Sequence, residues 1–287
     1  MRKKGFSLLI GIVMFLSLSS QAFAAPSSIA TSCGVAKGTA SSPIRICSSE
    51  DLKLLASYPS SHFLLRNSIA VDDAWIPVPS FSGTFNGNHH TISGLQDSLI
   101  DQNYGTIRNL ILSSSVLHDQ RGALSIANYG YVSNLKVYGE VYGDNAGGIA
   151  SLNEGTIEYS SSFMEIGGKS VTGGIAARNG KNGIIRYSHF SGEAGAFAQS
   201  GGITAFNEGL IANSFSWGKV SVVSGGAGGV VAHNYPGGAI RTSWSAGEVH
   251  YLYEPRLDVG KFAGKNSGII VNPIITNHVY ADGVLVE

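Results

Sequence analysis

Short apolar runs alternate with glycine and asparagine turns through most of the chain, and the runs recur at a nearly constant spacing. The clearest copy is residues 147–157, Gly-Gly-Ile-Ala-Ser-Leu-Asn-Glu-Gly-Thr-Ile. The asparagine of this stretch recurs with steps of 25, 25, 26, 28, 27 and 32 residues, by subtraction, at Asn103, Asn128, Asn153, Asn179, Asn207, Asn234 and Asn266. An apolar residue follows each of the first six, namely Ile107, Val132, Ile157, Ile185, Ile211 and Ile240. Two markers with one period identify a repeat protein.

Each repeat contains three short strand-like pieces, as in residues 148–150, 156–158 and 165–166. A period near 25 residues is too short for a propeller blade of about 40 to 45, and no helical period is present. The pattern therefore predicts an all-β parallel β-helix with one rung per repeat. Seven or eight rungs at ~4.8 Å give a rod of about 35 Å.

The repeated positions have separate physical roles in such a rod. The asparagine amides are expected to bond from rung to rung as an internal ladder, and the Ile and Val markers to stack in the core. The glycines two residues after the asparagines are expected to adopt positive φ. They are Gly105, Gly130, Gly155 and Gly209.

The residues before the repeats divide into two parts. A basic start, an apolar run too short for a membrane span and the sequence Ala22-Phe23-Ala24 predict a signal peptide over residues 1–24. Residues 25–79 are expected to form an N-terminal cap, with a Cys33–Cys47 disulfide and a short helix from an N-cap at Ser48 to about Ser57. The repeats then occupy residues 80–281 and a tail occupies 282–287. We expect a secreted or cell-surface protein with no membrane span in its mature chain.

Charge and composition limit the classes of function and fold that the chain can have. The formal charge is zero over 287 residues, but removal of three basic residues with the signal peptide leaves 16 basic and 19 acidic side chains, about −3. This balance gives no electrostatic basis for nucleic-acid binding. Glycine accounts for 38 residues, well above ordinary usage, which suits stacked short strands and tight turns.

The strand after each core residue carries the candidate chemistry. When Asn134, Tyr159, Tyr187, Asn213 and Thr242 are aligned, aromatic residues follow two or four positions later and an acid generally follows six positions later. In a regular strand these side chains share the outer surface. The predicted ligand-binding residues are Tyr138, Phe163, His189, Phe215, Trp217, Trp244, Glu140, Glu165, Glu193 and Glu248.

Three interpretations of this strip remain open. A bulge at the glycine after the aromatic position would reverse the alternation and leave a structural stack with solvated acids. An unreversed strand would give a surface for sugar rings or a partner. Carboxylates about 5 Å apart on adjacent rungs also fit a retaining glycosidase, although any ladder gives that separation. Beside a binding protein, the strip therefore leaves two other functions open. One is a polysaccharide lyase or glycoside hydrolase, and the other is a purely structural surface or matrix protein.

One copy of the repeat, Gly-Gly-Ile-x-x-x-Asn-x-Gly-x-Ile-x-Asn-Ser-Phe-x-x-Gly-x-Val at residues 201–220, closely resembles the GLUG repeat of bacterial exported proteins. The lead-in at residues 44–52 and 81–95 resembles the same family, with His89 where such proteins usually have glycine. The resemblance implies a right-handed parallel β-helix. It also implies a setting in adhesin-like surface proteins or in non-catalytic N-terminal regions of immunoglobulin-A-cleaving metallopeptidases. Their His-Glu-x-x-His motif does not occur in this sequence, so no catalytic residue is carried over.

The sequence therefore favours an exported, non-enzymatic binding or adhesion protein. Its partner is expected to be a glycan or another cell-surface component. No cofactor, metal site or catalytic residue is predicted.

Overall fold

The computed structural model describes residues 28–72, 74–116, 120–253, 258–281 and 283–286. The predicted signal peptide lies outside the described residues. The described chain is nearly all β and forms a parallel β-solenoid of about eight turns. The predicted fold class is therefore confirmed.

Three faces make up the solenoid, and we name them by their residues. The isoleucine face holds Ile44–Ile46, His62–Leu65, Thr84–Asn86, the first parts of Thr106–Val116 and Tyr131–Gly147, Thr156–Glu158, Ile184–Arg186, Leu210–Ala212, Ala239–Arg241 and Ile269–Val271. The asparagine face is an eight-stranded sheet of Val78–Phe81, Ile100–Asn103, Ser125–Asn128, Ala150–Asn153, Ala176–Asn179, Thr204–Asn207, Val231–Asn234 and Ala263–Asn266.

The third or aromatic face follows the isoleucine face in each turn. It holds Ile69–Ala70, Thr91–Leu95, the later parts of the two long strands, Ser161–Gly173, His189–Phe190, Glu193–Ala196, Gln199–Gly201, Phe215–Ser216, Lys219–Val222, Gly226–Gly228, Trp244–Ser245, Glu248–Tyr251, Val259–Gly260, Ile274–Ile275 and His278–Ala281. Strands on all three faces pair in parallel with the turn before and after.

Both predicted internal columns are present. The six Ile and Val markers are fully buried and pair in register from one turn to the next. Each ladder asparagine donates its Nδ2 to the Oδ1 of the next, at 2.7–2.8 Å from Asn103 through to Asn266. The amides inside the rod therefore satisfy one another, and the ladder fixes the register of the turns.

The prediction of positive φ at the repeat glycines is wrong. Gly105, Gly130, Gly155 and Gly209 are not among the residues with positive φ. These positions require glycine because the turns lie in close contact. A Cβ at any of the four would lie 2.1–2.3 Å from a carbonyl oxygen of the preceding turn. These glycines let the backbones of adjacent turns approach each other.

Positive φ occurs instead at the corner between the isoleucine and aromatic faces. Seven residues in equivalent places have φ of 46–53°, although only four are asparagine: Asn109, Asn134, Tyr159, Tyr187, Asn213, Thr242 and Asn272. A buried serine follows each of four corner residues, at Ser160, Ser188, Ser214 and Ser243. Each serine hydroxyl donates to the carbonyl two residues earlier and accepts a backbone N–H from the preceding turn. This serine column satisfies backbone groups where the chain turns sharply.

The N-terminal cap has its predicted parts. The Ser48 hydroxyl accepts from the Asp51 N–H at 3.1 Å and caps the consecutive helical turns Ser49–Leu52 and Leu54–Ser57. Leu52 and Leu55 are fully buried in the core, and Cys33 is bonded to Cys47. Parallel stacking begins at Ile44–Ile46, so the rod starts upstream of residue 80, where the sequence repeats become recognisable.

The two ends of the described chain are closed by antiparallel pairs. Ile29–Thr31 pairs with Gly34–Ala36, and Val284–Leu285 pairs with His278–Ala281. The predicted tail over residues 282–287 thus contains a strand that returns along the last turn, because Gly283, at φ +81°, allows a tight reversal. No helix within the described ranges is long and apolar enough to cross a membrane.

Candidate binding face

Strand alternation continues without reversal through the aromatic face. Val141, Ile166, Ala194, Val220 and Val249 are buried, as expected for inward positions. The aromatic and acidic residues before them lie on the opposite, outer side, where Tyr138, Trp217 and most of the glutamates are exposed. The bulge that would have reversed the alternation is therefore absent from these described strands.

The structure separates the predicted aromatic residues into two neighbouring columns. Paired residues of the inner column are Lys136, Ser161, His189, Phe215, Trp244 and Ile274. The outer column lies two residues further along each strand and contains Tyr138, Phe163, Ser191, Trp217 and Ala246. The paired residues on either side of these positions fix this register. All six predicted rings are thus on one surface, but they do not form one row.

These rings contact one another continuously. Ring centroids of the parallel-stacked pairs lie 4.8–4.9 Å apart: Tyr138 with Phe163, His189 with Phe215, and Phe215 with Trp244. Phe163 meets His189 edge to face at 5.4 Å, and Phe215 meets Trp217 at 4.7 Å with a 48° tilt. Since the stacked separation matches the spacing of the turns, most ring faces cover each other and ring edges point to solvent. The strip is mainly an aromatic ladder.

Trp217 is the exception. Its side chain is 52 % exposed, the largest value among the six rings. The neighbours of Trp217 in its own column are Ser191 and Ala246, both too small to cover an indole face. Phe163 and Trp217 are two turns apart, about 10 Å, with Ser191 between them. Small residues therefore flank the exposed indole within its column, and we call the position of Ser191, between Phe163 and Trp217, the slot.

The four predicted glutamates lie in one column with Lys219, and each has a side-chain partner. Glu140 accepts from Ser115, Glu165 from Tyr142 at 2.5 Å and Glu248 from His250 at 2.8 Å, while Glu193 lies 3.8 Å from Lys219. The hydrogen bond to Glu165 raises the pKa of Tyr142 to about 12, with burial as the second cause. The acids thus orient neighbouring side chains as well as offering oxygens to solvent.

Tyr142 also lies on this face and is not among the residues predicted from the sequence. It stands two residues after Glu140, on the same outer parity as Tyr138. The only sequence signal was that parity, because the equivalent position is Gly167 in the next turn and Gly195 in the one after. Because the next two members of this column are glycines, no residue type recurs along it in the sequence.

His189 is half-buried in the ladder, and its Nδ1 lies 3.1 Å from the Ser161 hydroxyl. Desolvation by burial, followed by the charge of Lys136, lowers the pKa of His189. The unfolded chain therefore binds a proton more readily than the folded chain just below pH 6.5, and stability falls as the pH drops through that window.

Because phenylalanine keeps a ring in the ladder without a proton to bind, His189→Phe should lose less stability than wild type between pH 7 and pH 5. Urea midpoints at pH 8, 7, 6 and 5 measure this, with pH 8 as the baseline; parallel curves would contradict it.

No group of three or more His, Cys, Asp or Glu side chains in the described segments is arranged to hold a metal ion. The fold and this face define an elongated parallel β-helix with a partly open aromatic and acidic surface.

No family model and no curated protein matches the chain. Among solved structures, it is similar to a Bacteroides ovatus protein described as a candidate immunoglobulin A1 protease, with 19% identity, a TM-score of 0.58 and coverage of 87% of this chain and 80% of that one. It is also similar to a structure described as IgA1 protease, with 16% identity and a TM-score of 0.60. That match covers 82% of this chain but 21% of the other, so the chain spans about a fifth of that protein's length. At these identities the likeness concerns the fold.

Proposed function

We propose that this chain is an exported, GLUG-type β-helix protein whose aromatic face binds a glycan on a cell surface or in the surrounding matrix. The observation that carries the proposal is Trp217, an exposed indole between two small residues on a face edged by carboxylates. Indole faces stack on the apolar faces of sugar rings, and carboxylates accept hydrogen bonds from sugar hydroxyls. The disulfide and the β-helical immunoglobulin A1 protease neighbours support an extracellular setting.

The predicted residues have unequal roles in this proposal. Trp217 and Tyr138, the two most exposed rings, contact the ligand. Phe215 and Trp244 mainly hold the surface in shape, because Trp244 stacks on Phe215 and pairs with Ile274 on its other side. Glu193 and Lys219 lie next to Trp217 along the strands and provide its polar border.

A glycan array with matched variants tests the proposal. Trp217→Ala should weaken binding of the best glycan by roughly tenfold, because about 1.4 kcal/mol of stacking is lost. Trp244→Ala should weaken it less. Tyr104→Ala is the matched control, since Tyr104 is 51 % exposed but lies after the asparagine face. An unchanged affinity for Trp217→Ala would remove this site, and an empty array with the wild-type protein would remove the function.

The enzymatic alternative has its own readout. Incubation with neutral and acidic polysaccharides should give neither new reducing ends nor unsaturated products. Appearance of either would identify a hydrolase or a lyase in place of a binding protein. A protein that neither binds on the glycan array nor cleaves a polysaccharide would be a structural matrix component.

A further inference from the structure

A groove parallel to the rod axis lies beside the glutamate column on the aromatic face. Its floor is the outward column two residues after the glutamates: Tyr142, Gly167, Gly195, Ser221, His250 and Tyr280. The three middle residues are small and the ends are aromatic. Two adjoining cavities of about 280 and 370 Å³, which share Gly168 and Lys169 in their lining, open along this column.

Gly195 is a glycine that the fold itself does not require. A Cβ at this position would meet one atom within 4 Å, the rotatable Ser221 hydroxyl at 2.7 Å. Gly195 also lacks the positive φ that would restrict it to glycine. Repeat glycines such as Gly155 differ, since a Cβ there would strike backbone of the preceding turn. The absent side chain at 195 has one evident consequence, which is an open groove floor.

One end of the groove is formed by Tyr142. Its ring lies over Gly167, where a Cβ would come within 2.3 Å of the ring. The Tyr142 hydroxyl donates to Glu165 at 2.5 Å, which holds the ring across the neighbouring turn. At the opposite end, the His250 ring stacks on Tyr280 at 4.6 Å and its Nε2 lies 2.8 Å from Glu248. Both ends are therefore aromatic and fixed by carboxylates.

The two long sides of the groove differ in polarity. Phe197 and Leu252 line the outer side and are 56 % and 49 % exposed, with Val223 between them. The column of Glu193 and Lys219 borders the inner side, and Lys169 lines the cavity near Tyr142. Large apolar side chains left in water along a concave surface mark a ligand site.

From this geometry we propose that the groove over Gly195 binds a neutral sugar ring of the glycan that contacts Trp217. A sugar ring has an apolar face for Phe197 and hydroxyls for Glu193, Lys219 and Ser221. Three glutamates, at 165, 193 and 248, stand along the groove against two lysines, so a polyanionic chain of uronates meets no net positive charge. The inference rests on the proposed function and adds to it the groove and the neutral class of sugar.

Filling the groove tests the inference. Gly195→Leu should leave the urea midpoint close to that of wild type, because the one atom that a Cβ would meet is the Ser221 hydroxyl, which can rotate away. Binding of neutral gluco-, manno-, galacto- and xylo-hexasaccharides, measured by calorimetry, should fall at least tenfold for the hexasaccharide that binds best. Tyr104→Ala, an exposed aromatic residue after the asparagine face, is the control and should bind within about twofold of wild type. Phe197→Ala, which removes the apolar side without filling the groove, should also lose several-fold affinity.

The outcomes separate the two proposals. Loss of binding in both Gly195→Leu and Trp217→Ala, with hexauronates bound at least tenfold more weakly than neutral chains, supports the groove. Loss in Trp217→Ala with unchanged affinity in Gly195→Leu and Phe197→Ala overturns the groove and keeps the proposed function. Tighter binding of hexauronates overturns the neutral class. No binding of any hexasaccharide by wild type overturns both.

Discussion

Gly155→Ala should unfold at a much lower urea concentration than wild type. The new Cβ would lie 2.2 Å from the Gly130 carbonyl oxygen and 2.6 Å from the Tyr129 carbonyl carbon. Both atoms belong to the backbone of the preceding turn, so neither can move aside without separating the turns and their hydrogen bonds. We expect a loss of about 3 kcal/mol or more in the free energy of unfolding, measured by urea titration with circular dichroism.

Gly195→Ala is the matched control for that experiment. Both glycines lie within the turns and lack positive φ, but the neighbour of a Cβ at 195 is a rotatable serine hydroxyl. The control should change the free energy of unfolding by less than about 1 kcal/mol. Equal midpoints for the two variants would show that contact between turns is not what selects glycine at position 155.

Asn153→Ala should have the second large effect. The Asn153 side chain is fully buried, accepts from Asn128 Nδ2 and donates to Asn179 Oδ1, both at 2.8 Å. Its removal leaves a buried acceptor without this donor and a donor with only longer contacts, at about 1–3 kcal/mol for each group. We expect a total loss of about 2–4 kcal/mol in the same urea titration.

Asn266→Ala provides the comparison at the open end of the ladder. Asn266 accepts from Asn234 Nδ2 at 2.8 Å, but it is exposed. Water can therefore replace its amide, and the loss should stay below about 1 kcal/mol. If the variants at positions 153 and 266 lose equal stability, burial of the ladder is not the source of its effect.

The core and the ladder were predictable because one residue type recurs at one position. Ile157 and Asn153 each belong to a column whose members share one environment. The same residue type therefore recurs at the same position of each repeat. The positive-φ position of the corner had no such signature, although a serine follows it in four turns. Tyr159, Asn213 and Thr242 share positive φ but not chemistry, so no single residue type marks this position in the sequence.

The outward placement of the predicted side chains could be derived from the sequence, but the orientation of their rings could not. Parity along one strand placed Phe163 and Trp217 on the outer surface. Whether a ring face is open depends on the residue one turn away, such as Ser191 beside Trp217, and that neighbour is 26 positions distant in the chain (217 minus 191). The groove over Gly195 was missed for a related reason, since a glycine in sequence does not reveal whether a turn, a close contact or a ligand requires it.

The most direct test of the central claim is a crystal structure of this protein with the neutral hexasaccharide that it binds most tightly. We predict one sugar ring against the Trp217 indole in the slot above Ser191, and a following ring in the groove over Gly195. A hexasaccharide bound on the asparagine or isoleucine face, with Trp217 uncovered, would contradict the account.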